Sequence, residues 1–370
     1  MDGSDDARDL ADLLGLPQAL PRRTPEVSPL LQTPPSVGPA PPSPMRWPAL
    51  NSPESVPASG VSSSMADWPG VDEPAARRAT APGPTVVAVF SPKGGVGKTT
   101  VSIMLGAVLA RRGRMANGGQ VRVCLVDLDL FGDVGARLGK AVPTVLDLVR
   151  GHPSITPEDV ERHLVEERSS GLRVLLAPVT PDAVNAAVLT PSVYRRIVET
   201  LSAWHDVVIL DCGTELTDPV LTSYAIPSAD RVLFVVNNEA ATLAAARKAL
   251  ALMADKPMSV PMGRISLVLN QRADEVGIGD TDVLRSLPRV RRIAARFPDD
   301  RRLFVGSANQ GRPILTSTDP VVRQGIADLV AAAVPDIHLV DLDVIVPAPA
   351  PKPLLARILA RAAAHALRPS

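Results

Sequence analysis

The chain is 370 residues long and 45% hydrophobic, enough to bury a sizeable core in one large domain or two. Its 39 lysines and arginines balance 39 aspartates and glutamates, so composition lends no support to a dedicated nucleic-acid binder. The two cysteines, Cys124 and Cys212, fall in apolar runs that suit a reduced, cytoplasmic protein, and no run of about 18 apolar residues predicts a membrane span.

The N-terminus, MDGSDDARDL, is acidic and lacks the charged-then-apolar order of a signal peptide. Within it, DARDLADLLGL sets Leu10, Leu13 and Leu14 on one helical face and Asp6, Asp9 and Asp12 elsewhere. It reads either as a frayed acidic helix near residues 5–16 or as a short docking motif for a protein partner. From Pro17 to about Pro84 the sequence is crowded with proline, serine and alanine and shows no sustained periodicity. Such a segment buries too little apolar surface to offset its ordering entropy, so residues 1–84 are expected to form a disordered tail.

Order is predicted from Thr85. TVVAVF is an apolar β-branched strand, SPKGGVGKTT a glycine loop, and TTVSIMLGAVLARRG a helix that ends at Gly113. The segment GRMANGGQ that follows is loose and carries no functional reading. Further strands are VRVCLVD, LRVLLAP, DVVILDC, RVLFVVN and RISLVLN, most of them followed by helical stretches such as PSVYRRIVETLSAW and EAATLAAARKALALMAD. VRRIAARFP and a helix around Pro320 to Val334 complete the predicted core. Near-continuous apolar strands alternating with helices predict an α/β fold, a mainly parallel, doubly wound sheet with helices on both faces, over residues 85–336. A linker over 337–353 ends in PAPAPKP, and LLARILARAAAHALR (354–368) reads as a basic amphipathic helix. Leu354, Leu355, Ile358, Leu359 and Ala362 form its apolar face, with Arg357, Arg361 and Arg368 opposite.

The glycine loop leaves a strand and opens a helix, which is the context a phosphate-cradling loop requires. Gly94, Gly95 and Gly97 allow backbone N–H groups to turn inward around an anion, and the helix N-terminus adds partial positive charge. Lys98 can then reach the β- and γ-phosphates, and the Thr99 hydroxyl can sit on Mg²⁺. Asp127 and Asp129 follow at the next strand end, where alternation would put both on one side; Asp133, further on, either joins them or caps the next helix. Asp211 ends the apolar run DVVILD, as an acid that holds Mg²⁺ through water would.

KGGVGKTT, VDLDLFGD and VVILDCGTE together resemble the MinD/ParA family of deviant Walker A ATPases over roughly Thr85 to Val334. That resemblance implies ATP and Mg²⁺ as cofactors and a homodimer formed face to face around two nucleotides. Lys93 would reach the phosphates of the opposite subunit, Lys98 would serve its own, Thr99 and Asp211 would lie on the metal side, and Asp129, supported by Asp127, would position the attacking water. The ATP-binding set would be Lys93, Gly94, Gly95, Val96, Gly97, Lys98, Thr99 and Thr100. LVLNQRAD and FPDD followed by ANQGRPIL resemble the adenine-side segments of the family, which adds Asn270, Pro298 and Asp299. The chain departs from the family in carrying Cys212, Gly213 and Thr214 after the Walker B acid, where many members have proline.

DLDLFGDVG followed by GLRVLLAP most resembles the CpaE/TadZ branch, which helps place pilus or secretion machinery; the proline-rich tail and DCGT are also similar to MinD-like proteins associated with type VII secretion. The expected function is therefore an ATP-driven dimerisation switch that positions a membrane-linked assembly, with slow hydrolysis resetting it. The alternatives are a ParA-type DNA-partitioning ATPase, with Arg289, Arg291, Arg292, Arg301 and Arg302 as candidate phosphate contacts, and a scaffold that holds ATP without turnover. The C-terminal helix either docks on a membrane surface, as the comparable helix of MinD does, or packs on the domain or a partner.

Overall fold

The computed structural model describes residues 83–151, 154–178, 187–273 and 277–342, all within one compact unit, Val71–Ser370. The proposed docking motif at 5–16, the proline-rich tail up to residue 82 and the helix at 354–368 lie outside the described residues.

The expected α/β architecture is present. Its strands are β1 (Thr85–Phe90), β2 (Gly113–Arg114), β3 (Val123–Asp127), β4 (Val165–Glu167), β5 (Leu172–Leu175), β6 (Val207–Asp211), β7 (Arg231–Val236), β8 (Ile265–Arg272), β9 (Ile293–Pro298) and β10 (His338–Leu339). Eight of them form one sheet in the order β4-β5-β3-β6-β1-β7-β8-β9, parallel except for β4 at the edge. β1 lies between β6 and β7, so the chain leaves it to build one side of the sheet and returns to build the other. In such sheets the crevice at the strands' carboxyl ends, where the order reverses, is the ligand position.

Alternation along the strands sends side chains to two separate cores. Val87 and Val89 face one, with Leu125, Ile209 and Leu233; Ala88 and Phe90 face the other, with Cys124, Leu210 and Phe234. The first core is closed by α1 (Lys98–Arg112) and by a later helix, Pro320–Ala333. α1 shows no polar face because both its sides are covered: Val101, Leu105, Val108 and Leu109 are fully buried. The second core is closed by helices Pro191–Trp204 and Ala240–Ala254. Cys124 and Cys212 are both free and buried.

GRMANGGQ, unread in the sequence, forms a tight turn closed by Met115 N–H donating to Gly119 O at 2.8 Å. β2, at its start, pairs antiparallel with β10 and so fastens the end of the domain to the end of α1. Arg112 reinforces this junction by donating to the carbonyls of Leu315 and Asp341. At the amino ends of the strands, a cavity of about 360 Å³ is lined by Gly83, Pro84, Asp206, Asp230 and Val334 to Ile337. The first described residues and the junction with β10 thus share the pole opposite the strands' carboxyl ends.

Candidate functional site

The turn between β1 and α1 is shaped by its glycines. Gly95 and Gly97 stand at φ 81° and 89°, in the left-handed region that side chains disfavour. A β-carbon at Gly97 would also meet Asn270 Nδ2 at 2.2 Å, so this position is closed to anything larger. The loop is held from β8: Asn270 Nδ2 donates to Val96 O at 2.8 Å, and Gln271, itself at φ 50°, donates from Nε2 to Gly95 O at 2.9 Å. Val96 is buried beneath it. The first turn of α1 carries no acidic residue, so its free N–H groups keep their partial positive charge.

A cavity of about 630 Å³ opens over this turn, a volume in the range of small-molecule sites. Gly94, Gly95, Gly97, Lys98, Thr99 and Thr100 line it, with Asp129, Thr214, Asn270 and Asp299 among the residues around its wall. Lys98 is only 8% exposed, whereas Lys93 is exposed and lies outside the lining, its backbone N–H donating to Ser91 Oγ at 3.3 Å. Pro298 ends β9 beside Arg272 and is not in the lining. Asp299, which follows it, is exposed at the rim.

The acidic residues separate into two depths. Parallel register sets Asp127 beside Asp211 at the ends of β3 and β6, both 1% exposed. Ser102 Oγ donates to Asp211 Oδ1 at 2.8 Å, while Asp211 Oδ2 and Asp127 Oδ2 have no hydrogen-bond partner. Burial pushes the Asp211 carboxyl up to about 6, although hydroxyls of Ser102 and Thr99 and the Lys98 ammonium draw it down. Burial, then the neighbouring charges of Asp211 and Asp129, push Asp127 well above the carboxylate range.

Asp129 does not share the strand face expected for it. β3 stops at Asp127, and the Leu128 N–H turns to Asp211 O at 3.0 Å, so Asp129 belongs to the following loop. There its Oδ1 accepts the Phe131 N–H at 3.0 Å and its carboxylate stands 3.6 Å from where a β-carbon of Gly213 would be. Asp127 instead lies under the loop: both its oxygens are 2.3 Å from the β-carbon position of Gly132, which fixes glycine there. Asp133 occupies the N-cap position of α2 (Val134–Leu138) without capping it by its side chain, and accepts from Arg137 at 2.6 Å. Gln271, Ser102 and Arg137 were not legible as site residues, because each acts through a contact between distant segments.

Thr99 and Asp211 offer one hydroxyl and one carboxylate with an unpartnered oxygen, hard donors of the kind Mg²⁺ takes together with phosphate oxygens and water. Among the described residues no group of three or more His, Cys, Asp or Glu is arranged to hold a metal by itself. The candidate arginine patch is divided. Arg289, Arg291 and Arg292 precede β9 and Arg301 and Arg302 follow it, so a six-residue strand, about 20 Å, lies between the two groups. Among the described residues no helix is long and apolar enough to cross a membrane.

Known proteins resemble this chain in sequence and in fold. Residues 84–254 match a family model described as an AAA domain. The chain is 27% identical over 245 residues to the septum site-determining protein MinD of Synechocystis, covering 62% of this chain and 81% of that protein. It is 35% identical over 158 residues to the chromosome-partitioning ATPase Soj of Thermus thermophilus, covering 41% of this chain but only 55% of Soj. A ParA family ATPase from Chlorobium tepidum shares the fold, with a TM-score of 0.57 at 19% identity, covering 66% of this chain and 97% of that one. These matches support a MinD-type or ParA-type P-loop ATPase.

Proposed function

We propose that this protein is an ATP-dependent dimerisation switch of the CpaE/TadZ kind, which positions a membrane-associated assembly such as a pilus or secretion system. The observation that carries it is the contrast between the two loop lysines: Lys98 is buried in its own cavity, while Lys93 is exposed beside it. A lysine turned outward next to a complete phosphate loop is placed to serve a second copy, which couples catalysis to assembly.

Phosphoryl transfer asks the protein mainly for placement and charge neutralisation. The backbone N–H groups of Gly95 to Thr100 and Lys98 would hold the β- and γ-phosphates. Mg²⁺, held by Thr99 and by Asp211 through water, would neutralise charge on those oxygens. Asp129, on the loop at the cavity wall, would orient the attacking water, and Asp127 would support that loop from below rather than touch nucleotide. Asn270 would read the base while keeping the loop in place, with Pro298 and Asp299 beside it.

Sizing the full chain with ATP, ADP and no nucleotide tests the reading. A dimer in ATP only, lost in Lys93→Ala, is expected; a monomer in ATP for the native chain overturns it. The membrane connection is tested separately: removing Leu354 to Ser370 should abolish ATP-dependent co-sedimentation with anionic liposomes. The rival, a ParA-type DNA partitioner, is favoured by the Soj similarity and the exposed arginines. A salt-sensitive shift of DNA mobility seen only with ATP would select it. Phosphate release that disappears in Asp129→Ala would exclude a scaffold that holds ATP without turnover, including one of type VII secretion.

A further inference from the structure

Arg137 stands in the wall of the nucleotide cavity, beside the turn that carries Lys98 to Thr100. Two segments hold its guanidinium. Nη1 donates to Thr100 Oγ1 at 3.1 Å, and Nε donates to Asp133 Oδ2 at 2.6 Å. Thr100 lies in the first turn of α1, where the free backbone N–H groups converge, so a permanently charged group is one hydrogen bond from the anion-binding turn. Its planar fork carries five N–H donors, and these two bonds use only two of them.

The Asp133 side of this arrangement is the one another anion can replace. The Asp133 side chain is 45% exposed and that of Arg137 31%, and ion pairs exposed to this degree contribute little. A nucleotide di- or triphosphate brings several oxyanions with fork-matching geometry and more charge than one carboxylate. Asp133 closes the loop that begins at Asp129, and between them Phe131 is 82% exposed. The backbone N–H of Arg137 also donates to Asp133 O at 2.8 Å, so Asp133 stays on the helix whichever anion the guanidinium takes.

We propose that Arg137 is a phosphate ligand of this site and Asp133 its resting counterion, so that a nucleotide phosphate displaces the Asp133 carboxylate from the guanidinium. The proposal rests on the nucleotide-binding reading above and adds to it a ligand outside the glycine loop.

The test is calorimetric titration of the full chain with Mg²⁺-ATP and Mg²⁺-ADP, in the native protein and in Arg137→Ala, Arg137→Lys and Asp133→Asn. Arg137→Ala should weaken both nucleotides about tenfold or more, and Arg137→Lys should restore part of that, as a point charge without the fork. Asp133→Asn should tighten both severalfold, because the competing anion is gone. The two single variants remove the same ion pair, so opposite shifts exclude a purely structural pair, and the shortfall of Arg137→Lys, which keeps the charge without the fork, separates direct ligation from charge alone. Equal losses in both would overturn the proposal in favour of a structural pair, as would Arg137→Ala binding within twofold of native. A native chain that binds neither nucleotide would sink the nucleotide reading and this proposal together; unchanged affinity in Arg137→Ala sinks this proposal alone.

Discussion

Strand β6 is bracketed by two aspartates of opposite fate. Asp206, at its amino end, accepts from Arg122 Nη2 at 2.7 Å, Nε at 3.1 Å and the Arg122 backbone N–H at 2.9 Å. Burial would raise its pKa, yet the Arg122 bonds outweigh burial and hold it below the usual carboxylate value. Asp211, at the carboxyl end, is buried with one oxygen unpartnered, and its pKa rises to about 6. Nearby Asp230 repeats the first pattern, with Oδ2 accepting the Val86 N–H at 2.8 Å. At the amino pole the chain satisfies its carboxylates itself; at the carboxyl pole it leaves Asp127 and Asp211 each with one oxygen unpartnered.

Asp211→Asn should break this contrast most. Phosphate release is expected to fall about 100-fold or more, the scale of losing a charge-stabilising group in a closed site. The melting temperature should stay level or rise, because a costly buried charge is removed. A fall of more than about 5 °C, roughly 1–2 kcal/mol for a domain of this size, would show that the carboxylate is structural after all.

Gly132→Ala should come next. Its new methyl would press on both Asp127 oxygens, which are 2.3 Å from that position, and overpacking of this kind costs about 1–3 kcal/mol. Chemical denaturation measures it, and Asp127→Ala in the same chain should recover most of the loss. Failure to recover would place the strain elsewhere in the loop.

Arg122→Ala at the opposite pole should cost about 1 kcal/mol or less, since Arg122 is 61% exposed, and leave nucleotide affinity unchanged. The two poles should also titrate with opposite sign. Asp206, depressed below 3.8, contributes stability above that pH and loses it as pH falls through its lower folded value. Asp211, raised from 3.8 to about 6, binds its proton more tightly when folded, so its contribution is present below pH 4 and lost as pH rises through 6. Melting curves should therefore lose part of their upper slope in Asp211→Asn, the rest belonging to Asp127, and should flatten at the acid end in Arg122→Ala.

How far the sequence could be read follows the same division between local and distant causes. The strand, glycine loop and helix from Thr85 to Arg112 were legible because each signal lies within a few residues. So were helices Pro191–Trp204 and Ala240–Ala254, matched almost residue for residue. The different depths of Asp127 and Asp129 were not, since two aspartates two positions apart look alike until the strand is known to stop at the first. Edge strand β4, three residues long and carrying Glu166 and Glu167, has no apolar alternation to betray it. β2 was invisible in GRMANGGQ because its partner, His338–Leu339, lies more than two hundred residues away. The grip of Asn270 and Gln271 on the glycine loop is likewise tertiary, although their place at a strand end drew attention to Asn270 for another reason.

The cavity at the amino ends of the strands has a mechanical consequence. Gly83 and the residues leading to β10 meet there, while α1 carries the chain 15 residues, about 22 Å, from the phosphate turn to that junction. The described part of the domain therefore begins and closes at its foot. The mouth of the nucleotide cavity, at the other pole, is thereby clear of both of these junctions.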